Sequence, residues 1–210
     1  VAELSLTELR AGARKTLQGR WLSFAGYTFV ILLLTAAIPN MLEKIDPKDT
    51  FGIGTILSIL YSLLVVNAIQ LGVNALYLKV SRGEEGSLGT IFAYFSNGGY
   101  AKAILFYVLM GIYLFLWSLL LVIPGIIKGF SYAMAPFIRV DEPELTANEV
   151  ITKSRRMMDG YKWKLFCLYL TFLGWLLLSV LTLGIGLFWL IPYMHFSLVH
   201  FYRDLKKKQS

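Results

Sequence analysis

Three sets of polar residues recur at helical spacing inside otherwise apolar stretches, and any chemistry would have to start from them. Asn67, Gln70, Asn74 and Tyr77 follow i, i+3, i+7, i+10, one continuous stripe of a helix. Lys128, Tyr132 and Arg139 share a second face, and Tyr193, Ser197, His200 and Asp204 a third. Amides, hydroxyls and a lone cation can hydrogen-bond a solute or a phosphate. In hydrocarbon they are costly unless satisfied, so the stripes are expected to face one another or a wet cavity. Two readings stand. One is a polar pathway or lipid-binding cavity between helices; the other is interhelical hydrogen bonding that holds a bundle together, at about 0.6–2 kcal/mol per contact. Lys128 also has two readings: it binds a lipid phosphate or anionic solute, or it snorkels to a nearby interface.

Covalent or metal chemistry finds no constellation. His195 and His200 are five residues apart, about 140° around a helix, so they do not form a ligand pair. The chain has no H-E-x-x-H, G-x-S-x-G, Walker A or Rossmann glycine pattern. Cys167 is the single cysteine, which removes an intrachain disulfide and any cysteine metal cluster. Residues 21–42, 51–78, 103–127 and 165–202 contain no Asp or Glu, the usual intramembrane metal ligands, general bases and proton relays. No enzyme, cofactor or metal is expected. Gly125-x-x-x-Gly129 matches a helix-packing motif beside a turn.

Those four stretches also lack Lys and Arg, and about 20 such residues cross a bilayer core as helix. The chain is 57% hydrophobic and 16% charged over 210 residues, with mean hydropathy +0.63, which water would not dissolve as a globular domain. The expected fold class is therefore all-α: a single polytopic membrane domain over 1–210, six transmembrane helices arranged as three hairpins. The spans are about 21–42, 54–78, 101–123, 126–140, 163–182 and 185–203. Pro124-Gly125 is expected to stop the third, and Leu183-Gly-Ile-Gly186 to turn the last hairpin. The fourth, about 15 residues, is short for a crossing. The polar, basic first 20 residues and the absence of an A-x-A site argue against a cleaved signal, so the first apolar segment is expected to remain.

With the N-terminus inside, 17 of the 20 Lys and Arg fall on the cytoplasmic side, leaving Lys44, Lys48 and Lys128 elsewhere. This orients both termini toward the cytoplasm and explains the net charge of +7 without nucleic acid. Trp21, Tyr100, Trp163 and Tyr202 would mark the inner boundary. Ser5-Leu-Thr-Glu8 and Thr146-Ala-Asn-Glu149 are capping boxes. Each opens an amphipathic segment, 5–18 and 146–158, with Leu6, Leu9, Ala13 and Leu17 or Val150, Ile151, Met157 and Met158 on one side. Arg10, Arg14 and Lys15, and Lys153, Arg155 and Arg156, lie around the other. Such helices are expected to lie on an anionic membrane surface, with a shorter one at 87–96. Gly19, Gly99 and Gly160, each followed by an aromatic residue and a hairpin, suggest three repeated units, although their spacings are unequal.

The run Leu121-Val-Ile-Pro-Gly-Ile-Ile-Lys128, with Ser131-Tyr-Ala-Met-Ala-Pro136, resembles the signature of a bacterial membrane family catalogued as domain of unknown function 975. Asp141-Glu-Pro-Glu-Leu-Thr-Ala-Asn-Glu149, Ser154-Arg-Arg-Met-Met158 and Ile191-Pro-Tyr193 fit it too, as do Glu8-Leu-Arg10 and Gly19-Arg-Trp21. The resemblance implies a multi-pass protein of the bacterial cytoplasmic membrane and no catalytic residues. The expected function is a non-enzymatic scaffold or accessory factor for envelope lipids or membrane proteins, with anionic lipids as partners. The alternative is a small transporter or channel using the polar stripes, and the sequence leaves membrane-protein partners and oligomeric state open.

Overall fold

The computed structural model describes residues 5–47, 50–95 and 99–209, so Lys48 and the end of the 87–96 segment at Ser96 lie outside the described residues. All regular structure among them is helical. Helix α1 is Leu6–Leu17, α2 Trp21–Glu43, α3 Ile53–Ser81, α4 Tyr100–Leu120, α5 Val122–Tyr132, α6 Ala135–Asp141, α7 Ala147–Met157, α8 Lys162–Leu181 and α9 Leu187–Gln209. Four of them, α2, α3, α4 and α8, are long and apolar enough to cross a membrane. Their apolar residues are widely exposed, among them Leu22, Phe29, Ile56, Ile59, Phe115, Leu119, Leu177 and Leu181. A surface of that size requires an apolar solvent.

Both capping boxes form. Glu8 N–H donates to Ser5 Oγ at 3.2 Å and Ser5 N–H to Glu8 Oε2 at 2.6 Å; Thr146 N–H donates to Glu149 Oε2 at 2.8 Å. These backbone bonds come first among the causes that hold both glutamates below the usual carboxylate range. Gly19 and Gly160 follow α1 and α7 with φ of 76° and 78°, the left-handed conformation that turns the chain into the next helix. The second unit differs: Leu88–Phe95 is a 3-10 helix, and its backbone presses so closely on α3 that a Cβ on Gly72 would collide with the Ile91 carbonyl.

Proline sets three details. Pro39 in α2 follows a widened π-type turn at Leu33–Ala37, which relieves the clash a proline ring makes with the preceding turn. The expected stop at Pro124-Gly125 is displaced: α4 ends at Leu120, Leu121 is extended (φ −165°, ψ 151°), and Pro124 sits in the first turn of α5, where a missing N–H costs nothing. The expected single span 126–140 is broken instead. Pro136 has no N–H to give Tyr132 and its ring would meet that carbonyl, so α5 stops at Tyr132 and α6 restarts at Ala135. The turn expected at Leu183–Gly186 lies there, with Leu183 and Gly184 at φ 53° and 88°.

A protein-lined core gathers around the second half of α3. Ala68, Ile69, Leu71, Val73, Leu76, Tyr77 and Leu78 are buried, covered by α2, α4, α6, α9 and the 3-10 segment. Tyr77 stacks on His195 at 4.6 Å and meets Phe24 and Phe196 edgewise or tilted. The apolar faces of the amphipathic helices join this core. Leu9, Ala13 and Leu17 of α1 pack against α9 and α8, while Val150, Ile151, Met157 and Met158 pack against α4, α5, α6 and α9. This corrects the expectation that those faces rest in lipid: protein covers them, and their basic edges are what remain outside. Tyr202, expected at the lipid boundary, is likewise buried, stacked on Phe137 at 5.4 Å.

Candidate functional site

The three polar stripes do not converge. On α3, Asn67 donates to Leu63 O at 3.0 Å and Asn74 to Gln70 O at 2.7 Å, both within the helix's own backbone. Asn74 also approaches the Tyr107 hydroxyl of α4 at 3.4 Å. The Tyr77 hydroxyl is buried beside Thr28 without a hydrogen bond among the described residues. The second stripe is split by the break before Pro136. Lys128 lays its ammonium over the Trp117 ring at 4.1 Å, a cation–π contact across the α4–α5 pair. Tyr132 is buried near Trp117 and borders a cavity of about 160 Å³ with Tyr113, Asn148 and Arg155. Arg139 is buried and donates to Leu145 O at 2.5 Å.

The third stripe faces α1. Ser197 donates to Tyr193 O at 2.9 Å, His200 Nε2 lies 3.0 Å from the Thr16 hydroxyl, and its ring fills the space over Gly12. Asp204 is buried with Lys208 at 3.4 Å. Arg10 Nε donates to the Tyr193 hydroxyl at 3.2 Å while its guanidinium stands 5.6 Å over the Phe172 ring. Arg10, expected at the cytoplasmic surface, is thus half-buried against residues of the expected fifth and sixth spans. It gets there because α1 packs flat along α9. Arg14, Lys15, Arg155 and Arg156 remain exposed, and Lys153 pairs with Glu142 at 2.6 Å.

Arg10 and Arg14 border one end of a groove of about 400 Å³. Its walls are apolar: Trp175 and Leu178 on α8, Trp189 and Leu190 on α9, with Trp21 beside the arginines. Thr182 and Gly186 close the other end. There Thr182 Oγ1 accepts from Gly186 N–H at 3.0 Å, and a Cβ on Gly186 would lie 2.7 Å from Ser179 Oγ, so α8 and α9 meet closely at the turn and part below it. Sequence reasoning named the two arginines but missed the walls, because Trp175, Leu178 and Trp189 are indistinguishable from ordinary lipid-facing residues.

A second cluster also escaped it. Asp141, at the end of α6, accepts from Tyr202 at 2.9 Å and Lys206 at 2.5 Å and pairs with Arg82, with its side chain 2% exposed. Burial alone would raise this carboxyl, but hydrogen bonds from Lys206, Arg82 and Tyr202 hold it below the usual range. The cluster ties the ends of α3 and α6 to α9. At the opposite end of α3, Asp46 accepts from Gly54 N–H at 2.9 Å and from Thr55 N–H and Oγ1 at 2.7 and 2.8 Å. Those bonds, the one from Gly54 foremost, depress its carboxyl and cap the helix. Among the described residues no group of three metal-ligating side chains occurs.

The family described as "Protein of unknown function (DUF975)" matches the chain over residues 4–127 and 119–209. No curated protein and no solved structure matches it.

Proposed function

The chain belongs to the family of proteins of unknown function DUF975, and on that premise we propose that it is a six-crossing membrane protein acting as a non-enzymatic scaffold or accessory factor for envelope lipids or membrane proteins. Both termini stand on the cytoplasmic face of a bacterial membrane, the side to which sequence position assigns 17 of the 20 Lys and Arg, Arg10 reaching inward from it. In this reading α2, α3, α4 and α8 cross fully. The fourth crossing in chain order is the α5–α6 pair, broken at Pro136, and the sixth is the apolar part of α9.

The observation that carries the reading is the divergence of the polar stripes. A pathway for solutes needs them to line one continuous wet cavity. Asn74 instead meets Tyr107 and Lys128 meets Trp117, ten residues further along α4, while His200 meets Thr16 of α1, so the contacts are separate rather than shared. Pairwise contacts of this sort join helices, and the broad apolar exterior supplies the surface a lipid or protein partner would touch.

Two measurements test it. In a Cys167→Ser background, Arg155→Cys should resist an impermeant maleimide applied to intact cells and react after permeabilisation. Vesicles of phosphatidylglycerol and phosphatidylcholine loaded with carboxyfluorescein should leak no faster with the protein than without it. A leak that Asn74→Ala abolishes would hand the protein to the transporter reading.

A further inference from the structure

Arg10 is the least settled charge in the fold. Its neighbours are a neutral phenol, Tyr193, and an aromatic face, Phe172. Among the described residues no carboxylate pairs with it or with Arg14. If six helices cross, as proposed above, Phe172 and Tyr193 belong to the membrane layer, and a guanidinium there is costly until an anion meets it. Two arginines side by side present the fork of donors that a phosphate accepts in pairs.

The groove leading from them is the wrong place for a compact polar solute. From Trp175 to Thr182 it follows seven residue steps along the end of α8, a run of about 10 Å, between hydrocarbon and indole walls. Its own lining side chains Trp175, Leu178 and Trp189 are exposed, so it opens onto the face that hydrocarbon covers. An occupant would therefore enter sideways from the bilayer, with charge at one end and a chain at the other. We infer that this groove binds one anionic phospholipid, its phosphate on Arg10 and Arg14 and one acyl chain laid between Trp175 and Trp189. The inference rests on the six-crossing reading.

Native mass spectrometry of protein released from mixed phosphatidylglycerol and phosphatidylcholine bilayers tests it. The unaltered protein should retain phosphatidylglycerol in preference. Arg14→Gln alone should weaken that preference, and Arg10→Gln with Arg14→Gln should lower phosphatidylglycerol retention about tenfold. Leu178→Trp, which fills the channel and leaves both arginines, should lower retention of either lipid, whereas Arg156→Gln on α7 should change nothing. Phosphatidylglycerol retention unaltered by both the double substitution and Leu178→Trp would overturn the assignment. So would a dimer, seen by light scattering, that Leu178→Trp dissociates without altering lipid retention. If retention is unaltered while Arg155→Cys stays protected from outside label, the groove assignment alone fails. If that cysteine is labelled from outside, the crossing scheme fails and takes the groove with it.

Discussion

The two halves of α3 are both apolar and have opposite surroundings. From Ile53 to Leu64 most large side chains, Ile56, Leu57, Ile59 and Leu60 among them, are exposed; from Ala68 to Val80 nearly all are buried in protein. The difference recurs elsewhere. Leu119 to Ile123 at the α4–α5 connection and Leu181 to Ile185 at the α8–α9 connection are bare, while α4, α6, α9 and the 3-10 segment close around the second half of α3. One end of each helix is built to touch an apolar solvent and the other to touch neighbours. Stability should then reside at the basic end, where α1, α6, α7 and α9 converge and Asp141 ties three elements together, and the exposed end should tolerate change.

Truncating one side chain from each half gives the widest expected separation. Ile69→Ala opens a cavity in the packed half and should cost about 3 kcal/mol, whereas Ile59→Ala should cost less than about 0.5 kcal/mol, as read by thermal unfolding in detergent. Equal losses would erase the distinction. Next comes the tie itself: Asp141→Ala leaves Arg82, Lys206 and the Tyr202 hydroxyl without their shared acceptor. It should cost about 2 kcal/mol, held to the low side because Arg82 and Lys206 are 40% and 42% exposed and screened by water.

Acid sharpens the same comparison with the smallest effect. The Asp141 and Asp46 carboxyls are both depressed in the folded protein, so their contributions are present in full above the ordinary aspartate value and are lost as pH falls through the lower folded value. Asp46→Asn should therefore lower the melting temperature slightly at neutral pH and not at all once the native carboxylate is protonated. A deficit that persists unchanged into acid would assign Asp46 a role other than its charge.

Much of this architecture is readable from residue order. Long uncharged runs, Ser5 and Thr146 three residues before glutamates, and Gly184 after Leu183 each report a local requirement: solvent, an unsatisfied N–H, a left-handed turn. Pro136 could have been read the same way, since its ring forbids the turn that would join α5 to α6. Asp46 carries no such local mark, because its worth depends on where Gly54 and Thr55 return to it.

The sequence by itself determined that this chain is helical and that long apolar helices run through it. Only the tertiary structure decided which apolar faces meet protein and which stay exposed, and that Arg10 turns inward onto Tyr193 beside a groove. The physical reason is that hydropathy measures departure from water alone. Leu9 and Leu177 are equally apolar, and shape complementarity between helices is what buries the first against α9 and leaves the second exposed.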